Sequence, residues 1–298
     1  MRIFLLFVAL LAGSLVCAAA LTYPAWWLVS LVSVEPVHRV MHRVAMLLAL
    51  VGLVGLTRRL GLSNREALGF GMPRNRFLRQ VAMGWICGAL LMLPLMSLLL
   101  WLDIRNVRPD TVGRLFSLAV SGILSGLVIA CIEETFFRGV LFTAVRRTSG
   151  TTAAIIAPSA LYAALHFLGG RIDVPADQVN WTHGFLVLAG LFERYADPLT
   201  LVDSFLALFA LGILLSLVRA RTGAIAGSIG LHAAGVAAIF VIRGTTLVDP
   251  QDAQAGLVGN YDGVIGWAAL AWFAVIAILV SRWPVRPDPA RNPRSENA

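Results

Sequence analysis

Eight apolar stretches, each long enough to cross a lipid bilayer, constrain the fold of this chain more than any other feature. A transmembrane helix needs about 20 mainly apolar residues. In a chain of 298 residues, such stretches occur at 3–22, 41–57, 80–102, 114–135, 151–169, 200–218, 223–242 and 263–281. Backbone groups in lipid must be hydrogen-bonded within the protein, which a helix achieves by itself. The sequence therefore predicts an all-α fold, a polytopic membrane bundle of about eight transmembrane helices.

The composition excludes an ordinary soluble domain. Hydrophobic residues make up 58% of the chain and charged residues 13%, whereas soluble domains carry roughly 25% charged residues. A net charge of +8 would suggest nucleic acid as the partner of a soluble protein. Here the arginines lie between apolar runs, where they set topology and contact lipid head groups. We therefore expect membrane lipids, and no nucleic acid, as partners.

The segments between the predicted spans indicate topology. Arginines concentrate in loops such as 57–79, which predicts that both chain ends lie inside; this loop is expected at the inner membrane surface, as an amphipathic or solvated segment. Two shorter apolar segments, 23–34 and 185–192, are expected to be interfacial, re-entrant or surface helices. The first stretch resembles a signal peptide; we predict an uncleaved helix, and cleavage is the alternative. The tail 284–298 is predicted to be disordered.

Three ionisable residues within one apolar segment mark the strongest candidate site. Glu133, Glu134 and Arg138 lie in the sequence CIEETFFRG, although a charge near the bilayer centre costs at least ~2.5–3.5 kcal/mol. Helical residues four apart share a face, so Glu134 and Arg138 are predicted to pair and to leave Glu133 free. A carboxylate without a charge partner in a cavity can accept a proton from water, as a general base does. The structural alternative is a buried ion network that locks helices together.

A histidine on the next predicted span reaches the same depth as the acid pair. Thr148–Gly150 reads as a tight turn, with Glu133 sixteen to seventeen residues before it and His166 as far after it. An antiparallel hairpin would place both residues about 25 Å from the turn, at 1.5 Å per residue. The matched depth favours a shared site over a histidine that only packs in the core.

The seventh span contains His232 as its only ionisable residue. Its glycines allow close helix approach, and Ser228 shares the face of His232; the glycines are Gly223, Gly227, Gly230 and Gly235. A packing role is the alternative for His232 taken alone. His38, His42 and His183 are interpreted as interfacial or solvated. Cys17, Cys87 and Cys131 lie in apolar segments without CxxC spacing, so neither a disulfide framework nor a cysteine zinc site is expected.

Taken in order, these residues resemble a known family. EETFFR matches an EExxxR motif, Tyr162–His166 resembles an aromatic-xxx-His motif, and His232 stands where a His-xxx-Asn motif would begin. The region from Leu115 to Phe240 is therefore similar to the CAAX-protease and bacteriocin-processing (CPBP) family of intramembrane proteases. The organisation that follows has N-terminal helices with a basic loop at 1–113, a protease core at 114–243, and a last helix with a basic tail at 244–298.

The resemblance implies a role for each motif residue. Glu133 would activate a water molecule for attack on a peptide carbonyl, while His166 and His232 would bind the oxyanion or a metal. Glu134 and Arg138 would hold Glu133 in place. Two histidines and a glutamate, here Glu133, His166 and His232, also form a reasonable zinc set. Members of the family are described both as metalloproteases and as metal-independent glutamate proteases, so zinc and a metal-free mechanism are both left open.

Two positions depart from the family pattern. Tyr162 replaces the usual Phe and keeps the aromatic ring. Val236 stands where the family has Asn, and valine donates no hydrogen bond; loss of one oxyanion donor typically costs ~10²–10³ in rate. Ser228 or a backbone group could substitute for that Asn.

The function predicted from these residues is intramembrane endopeptidase activity on a membrane-associated peptide or protein. A compact chain in which all 24 basic residues are arginine points to a bacterial inner membrane. The main alternative, prompted by Val236, is a catalytically silent protease-like scaffold or an immunity or binding protein. A proton-coupled transporter ranks last, because no pair of Gly/Pro-broken helices occurs in matching halves.

Overall fold

A computed structural model describes residues 2–249 and 252–282. Its regular elements, in chain order, are α1 (Arg2–Ser30), α2 (Val37–Arg59), α3 (Arg74–Trp101), β1 (Arg105–Val107), α4 (Thr111–Glu134), a π-helix (Thr135–Leu141), α5 (Phe142–Leu165), α6 (His183–Gly190), α7 (Val202–Thr222), α8 (Ala226–Thr245), β2 (Thr246–Val248) and α9 (Trp267–Arg282). Short 3₁₀ turns occur in the connections before α7 and before α9. The fold is a helical membrane bundle, as the apolar stretches predict.

Each of the eight predicted spans overlaps a helix, but the number and lengths of the membrane-crossing helices differ from the prediction. Within the described residues, six helical intervals are long and apolar enough to cross a membrane. Two predicted spans fall in one of them, Thr111–Leu165, which covers 55 residues. Gly150 breaks the regular helix inside that interval with φ +82°, a conformation that glycine adopts without the steric penalty of a Cβ atom. The eighth predicted span corresponds to α9, which has only 16 residues.

The outer surface of the bundle is apolar, as a lipid environment requires. Phe116 on α4 is 81% exposed and Leu28 on α1 is 59% exposed. Soluble proteins rarely expose contiguous apolar patches of this kind, and many more large apolar side chains are exposed along the other long helices. The protein is therefore a multi-pass membrane protein with lipid as its surroundings.

Helix α8 lies between α3 and α4 and contacts both along much of its length. The close approach depends on small residues: at Gly230 an added Cβ atom would collide with the backbone of α3 at Val81. Van der Waals packing through small residues is the usual basis of helix association in lipid. A second layer places α7 against α5 and α9, while α1 packs on α2 and α6. This arrangement brings the polar residues of α4, α5 and α8 toward one another.

Two connecting segments differ from the expectation. The segment 23–34 is not a separate interfacial element, because α1 continues through Pro24 to Ser30. The loop 57–79 is shorter than predicted, since α2 ends at Arg59 and α3 begins at Arg74. Ala67 within it is buried, and its carbonyl accepts a hydrogen bond from Thr143 Oγ1 at 2.7 Å. Part of this loop therefore packs against the start of α5, the helix that follows the acid pair and the π-helix.

The other peripheral predictions have different outcomes. The segment 185–192 is largely the short helix α6, as expected, and Gly184 packs closely on α1 at Ala19. The tail 284–298 lies outside the described residues.

A two-stranded antiparallel ribbon of β1 and β2 pairs Arg105 with Val248. Strands of three residues are too short to be detected from sequence periodicity. Buried Arg105 donates from Nη1 to the Gly263 carbonyl at 2.6 Å, which ties this ribbon to the segment before α9.

Candidate active site

The predicted ion pair between Glu134 and Arg138 is present and fully buried. Arg138 Nη1 donates to Glu134 Oε1 at 3.0 Å, and neither side chain has any exposed surface. Arg138 Nη2 also donates to the carbonyl of Gly212 on α7 at 3.0 Å. A planar guanidinium suits such a fixed pair of contacts. The pair therefore joins the end of α4 to α7 as well as neutralising one carboxylate.

The helix widens immediately after the acid pair, which the sequence pattern did not indicate. Residues Thr135–Leu141 form a π-helix, and the Phe142 N–H bonds to the Phe137 carbonyl five residues earlier. Thr135 Oγ1 donates to the Cys131 carbonyl at 2.6 Å. Short π-helical turns are rare and occur frequently at functional sites. Apolar periodicity does not distinguish this turn from regular helix, so Glu134 and Arg138 pair across a change of helix type.

His232 on α8 contacts the same carboxylate. Its Nδ1 lies 2.9 Å from Glu134 Oε1, and the residue is 3% exposed. An ionised carboxylate only accepts hydrogen bonds, so Nδ1 carries the proton and donates to Glu134. The opposite ring nitrogen, Nε2, lies 3.9 Å from Glu133 Oε2. His232 is therefore placed between the two neighbouring carboxylates, with its orientation determined by Glu134.

His166 is oriented by its own helix. Its Nδ1 lies 2.8 Å from the carbonyl oxygen of Tyr162, and a carbonyl only accepts, so Nδ1 carries the proton. In the neutral ring Nε2 is then an acceptor. His166 lines the same cavity as Glu133 and His232, as expected from the equal-depth hairpin.

Glu133 is the carboxylate without a charge-neutralising partner. Its side chain is 29% exposed. Its Oε2 atom is buried and has no hydrogen-bond partner among the described residues. Glu134 Oε2 is likewise without a partner, but Glu134 has no exposed surface. The two adjacent acids thus occupy different environments, one neutralised and enclosed, the other facing a cavity.

The cavity has a volume of about 680 Å³ and mostly apolar walls supplied by α3, α4, α7, α8 and α9. Glu133, His166 and His232 line one region of it, while Arg243 and Asp262 line another. Burial raises the pKa of Asp262, and the amide N–H groups of Ile265 and Val264 act in the opposite direction. A space of this size, apolar with a few convergent polar groups, is typical of a ligand site.

Tyr162 lies close to both histidines of the site and to Arg138. Its ring centroid lies 4.3 Å from that of His166 and 5.9 Å from that of His232. The guanidinium carbon of Arg138 lies 4.7 Å from the same ring centroid. Edge-on aromatic packing and a cation over a ring face both hold the ring in place. The tyrosine therefore fixes the spacing of both histidines.

Val236 and Ser228, the two residues that bear on the missing Asn, lie in different environments. Val236 lines the cavity, so an apolar side chain occupies the position where the family motif has a donor. Ser228 is fully buried, and its hydroxyl donates to the Leu215 carbonyl at 3.0 Å. Ser228 is therefore committed to helix packing between α8 and α7 and does not replace the Asn.

Arg219 is a further supporting residue that the sequence interpretation missed. It lies in α7, is 3% exposed, and donates from Nε to the Arg138 carbonyl at 3.0 Å. A second hydrogen bond joins its Nη1 to the Gly223 carbonyl. The position of Arg219 just before a helix end gave no signal of burial, because arginines at helix ends are usually topology determinants.

The other three histidines, His38, His42 and His183, do not line the cavity of the site. His38 is 7% exposed rather than solvated, and its Nδ1 lies 3.1 Å from the Ile172 carbonyl oxygen. His183 Nδ1 accepts from the Asn180 N–H at 3.2 Å in the loop before α6.

The predicted zinc set can be tested against this geometry. The donor types of Glu133, His166 and His232 suit zinc, and both histidines donate Nδ1–H to an oxygen, which is the usual support for a metal-bound imidazole. However, no three His, Cys, Asp or Glu side chains in the described parts of the chain converge closely enough to hold a metal ion. The residues in this arrangement therefore do not fit a metal site.

Comparison with known proteins agrees with the family resemblance inferred from the three motifs. Residues 115–238 match the family model described as type II CAAX prenyl endopeptidase Rce1-like. This confirms the resemblance to the CPBP family, and the matched segment contains all five predicted site residues. Neither the curated proteins nor the solved structures include a significant match to the chain.

Proposed function

From the Rce1-like character of residues 115–238, we propose that this multi-pass membrane protein is an intramembrane endopeptidase. It hydrolyses a peptide bond in a membrane-associated peptide or protein, with Glu133 as the general base. One observation carries the proposal: Glu133 lines the cavity, and its Oε2 atom has no hydrogen-bond partner among the described residues and lies 3.9 Å from His232 Nε2. Its neighbour Glu134 is neutralised by Arg138.

The reaction begins with a water molecule held between Glu133 and His232. A separation of 3.9 Å between Oε2 and Nε2 is too long for a direct hydrogen bond but suits a bridging water. Glu133 takes one proton from this water while the water oxygen forms a bond to the substrate carbonyl carbon. The π electrons of the carbonyl move to its oxygen, which becomes the oxyanion of a tetrahedral intermediate.

The intermediate then collapses without a covalent enzyme adduct. Protonated Glu133 gives its proton to the peptide nitrogen, the C–N bond breaks, and the carbonyl re-forms. One product carries a new carboxyl group and the other a new amine, so one water is consumed. Positioned proton transfer of this kind contributes about 10²–10⁴-fold to rate.

Glu134 and Arg138 act as positioning residues in this scheme. Glu134 accepts from both Arg138 and His232 Nδ1, so it fixes the tautomer in which His232 Nε2 faces Glu133. Arg138 supplies the positive charge that makes a second buried carboxylate tolerable beside Glu133. Removing either partner would leave an uncompensated buried charge, which is costly.

The proposed substrates are membrane-associated peptides or lipid-anchored proteins in a bacterial inner membrane. Apolar walls around the polar centre suit a segment that enters from the bilayer rather than from water. The arginine-only composition favours bacterial tasks such as bacteriocin leader processing, immunity or processing of surface-anchored proteins.

Turnover of a lipid-anchored peptide library by the purified full-length protein tests the proposal. The expected result is cleavage by wild type and a loss of at least 10²-fold in Glu133→Gln, which keeps the size of the side chain but cannot act as a base. Glu193→Gln, in the exposed loop before α7, is the matched control and should cleave normally. Unchanged turnover in Glu133→Gln would overturn the assignment.

Val236 supports a second candidate function, a silent scaffold that binds a membrane partner. Its apolar side chain lines the cavity where the family motif has Asn. Binding of library peptides by wild type, without cleavage although Glu133 is intact, would favour this candidate over the peptidase.

A further inference from the structure

We infer that the hydroxyl group of Tyr162 donates a hydrogen bond to the oxyanion and is a further catalytic group of this site. The inference rests on the proposed peptidase function. It answers the question raised by Val236, namely which group stabilises the negative charge on the substrate oxygen when the side chain at position 236 donates no hydrogen bond.

The hydrogen-bond donors of the two histidines and of Ser228 are already engaged. The Nδ1–H groups of His166 and His232 are bonded to the Tyr162 carbonyl and to Glu134. In the neutral rings, the remaining Nε2 atoms accept hydrogen bonds rather than donate them. Arg138 has no exposed surface and does not line the cavity, and Ser228 donates to Leu215. Tyr261 and Arg243 also line the cavity, but Tyr162 is the hydroxyl donor whose ring packs against both His166 and His232.

Tyr162 has a hydroxyl group in the right environment. The residue is 1% exposed and lines the cavity together with Glu133, His166 and His232. Within the described parts of the chain, its hydroxyl has no hydrogen-bond partner; the hydrogen bond recorded for this residue is the one that its carbonyl accepts from His166. A buried tyrosine hydroxyl usually has a partner. A donor without one, on the wall of a cavity that contains a candidate base, is available to a bound substrate.

The surroundings of Tyr162 also make it a good donor for a developing negative charge. Its ring packs edge-on against Phe137 with centroids 5.3 Å apart, and both histidine rings contact it. The guanidinium carbon of Arg138 lies 4.7 Å from the ring centroid, and this cation–π contact adds to the packing that holds the ring in place. A donor held rigidly before the reaction needs no reorganisation in the transition state, which is the basis of oxyanion stabilisation.

The test removes the hydroxyl and nothing else. Tyr162→Phe keeps the ring that packs on His166, His232 and Arg138. We expect kcat on cleaved library peptides to fall about 10²–10³-fold, the usual effect of losing one oxyanion donor, with KM changed little. Tyr195→Phe is the matched control: it also removes a hydroxyl, which here donates to the Ala164 carbonyl outside the cavity, and its kcat should stay near that of wild type.

A binding measurement separates this inference from the peptidase proposal. Phosphinate pseudopeptides of the library sequences carry a tetrahedral anion in place of the scissile carbonyl, and their affinity is measured by calorimetry without turnover. We expect Tyr162→Phe to bind them at least 10-fold more weakly than wild type. Equal affinity, or no affinity in wild type, would overturn the role of Tyr162, whatever Glu133→Gln does. If the wild-type protein cleaves no peptide but Tyr162→Phe still binds the phosphinates more weakly, the role of Tyr162 as a hydrogen-bond donor would stand and the peptidase function would be rejected.

Discussion

Glu134 and His232 are joined by a hydrogen bond of 2.9 Å between Oε1 and Nδ1, although 98 positions separate them in the chain. The bond is buried, and the same oxygen also accepts from Arg138. It assigns different tasks to two adjacent acids: Glu134 is enclosed and orients an imidazole, while Glu133 faces the cavity. Adjacent residues on a helix point about 100° apart, which allows this division.

Substitutions of Glu133 and Glu134 should therefore differ in their effect on stability. Glu134→Gln removes the charge that compensates buried Arg138 and weakens the acceptor of the His232 hydrogen bond, so we expect unfolding free energy to fall by about 3–5 kcal/mol and activity to fall with it. Glu133→Gln should abolish turnover and change stability by less than about 1 kcal/mol, because Glu133 forms no close ion pair. Denaturation in detergent, together with peptide cleavage, measures both quantities. Equal destabilisation by the two variants would contradict the division of roles.

Val236→Asn should have little effect on wild type and a large effect without the Tyr162 hydroxyl. If Tyr162 supplies the oxyanion donor, an added amide at position 236 duplicates it, and we expect kcat to change by less than about 3-fold. In a Tyr162→Phe background, the same change should recover at least about 10-fold of the lost rate, since one donor is worth ~10²–10³. Steady-state kinetics of the four proteins form a double-mutant cycle. Strictly additive effects would show that the two positions do not serve the same oxygen.

Chelation is expected to leave cleavage unchanged. No three potential ligands converge in the described part of the chain. Turnover after dialysis against a chelator should stay within about 2-fold of the untreated protein, and metal analysis of the purified protein should find far less than one zinc per chain. Loss of activity that zinc restores would instead assign Glu133, His166 and His232 as ligands, because two histidines and a glutamate are a recognised catalytic zinc set.

Two glycines on α8 should respond differently to alanine. A Cβ atom at Gly230 would collide with the α3 backbone at Val81, whereas one at Gly235 meets no heavy atom within 4 Å. We expect Gly230→Ala to lower the unfolding free energy by more than about 2 kcal/mol, as overpacking does. Gly235→Ala should be neutral or stabilising by about 0.4–1 kcal/mol, because alanine restricts the unfolded chain. Denaturation of both variants in detergent compares them, and a stable Gly230→Ala would contradict the close approach of α8 to α3.

Local chemistry made much of this protein predictable from its sequence. Eight apolar stretches determined the helical membrane fold, because lipid requires each span to satisfy its own backbone hydrogen bonds. The spacing of Glu134 and Arg138 determined their pairing, and Gly150 marked the break in the long helix. The ordered motifs on three spans pointed to the family whose model residues 115–238 match. These features depend on residues a few positions apart, or on a pattern repeated along one segment.

The tertiary structure alone decided which groups meet across helices. The bond between Glu134 and His232, the burial of Arg219, the commitment of Ser228 to Leu215 and the position of Tyr162 all depend on how α4, α5, α7 and α8 pack. The sequence pattern did not indicate the π-helix after Glu134 either. Hydropathy indicates that a face is buried but not which atoms oppose it, since close packing in lipid is set by shape rather than by a hydrophobic driving force between helices.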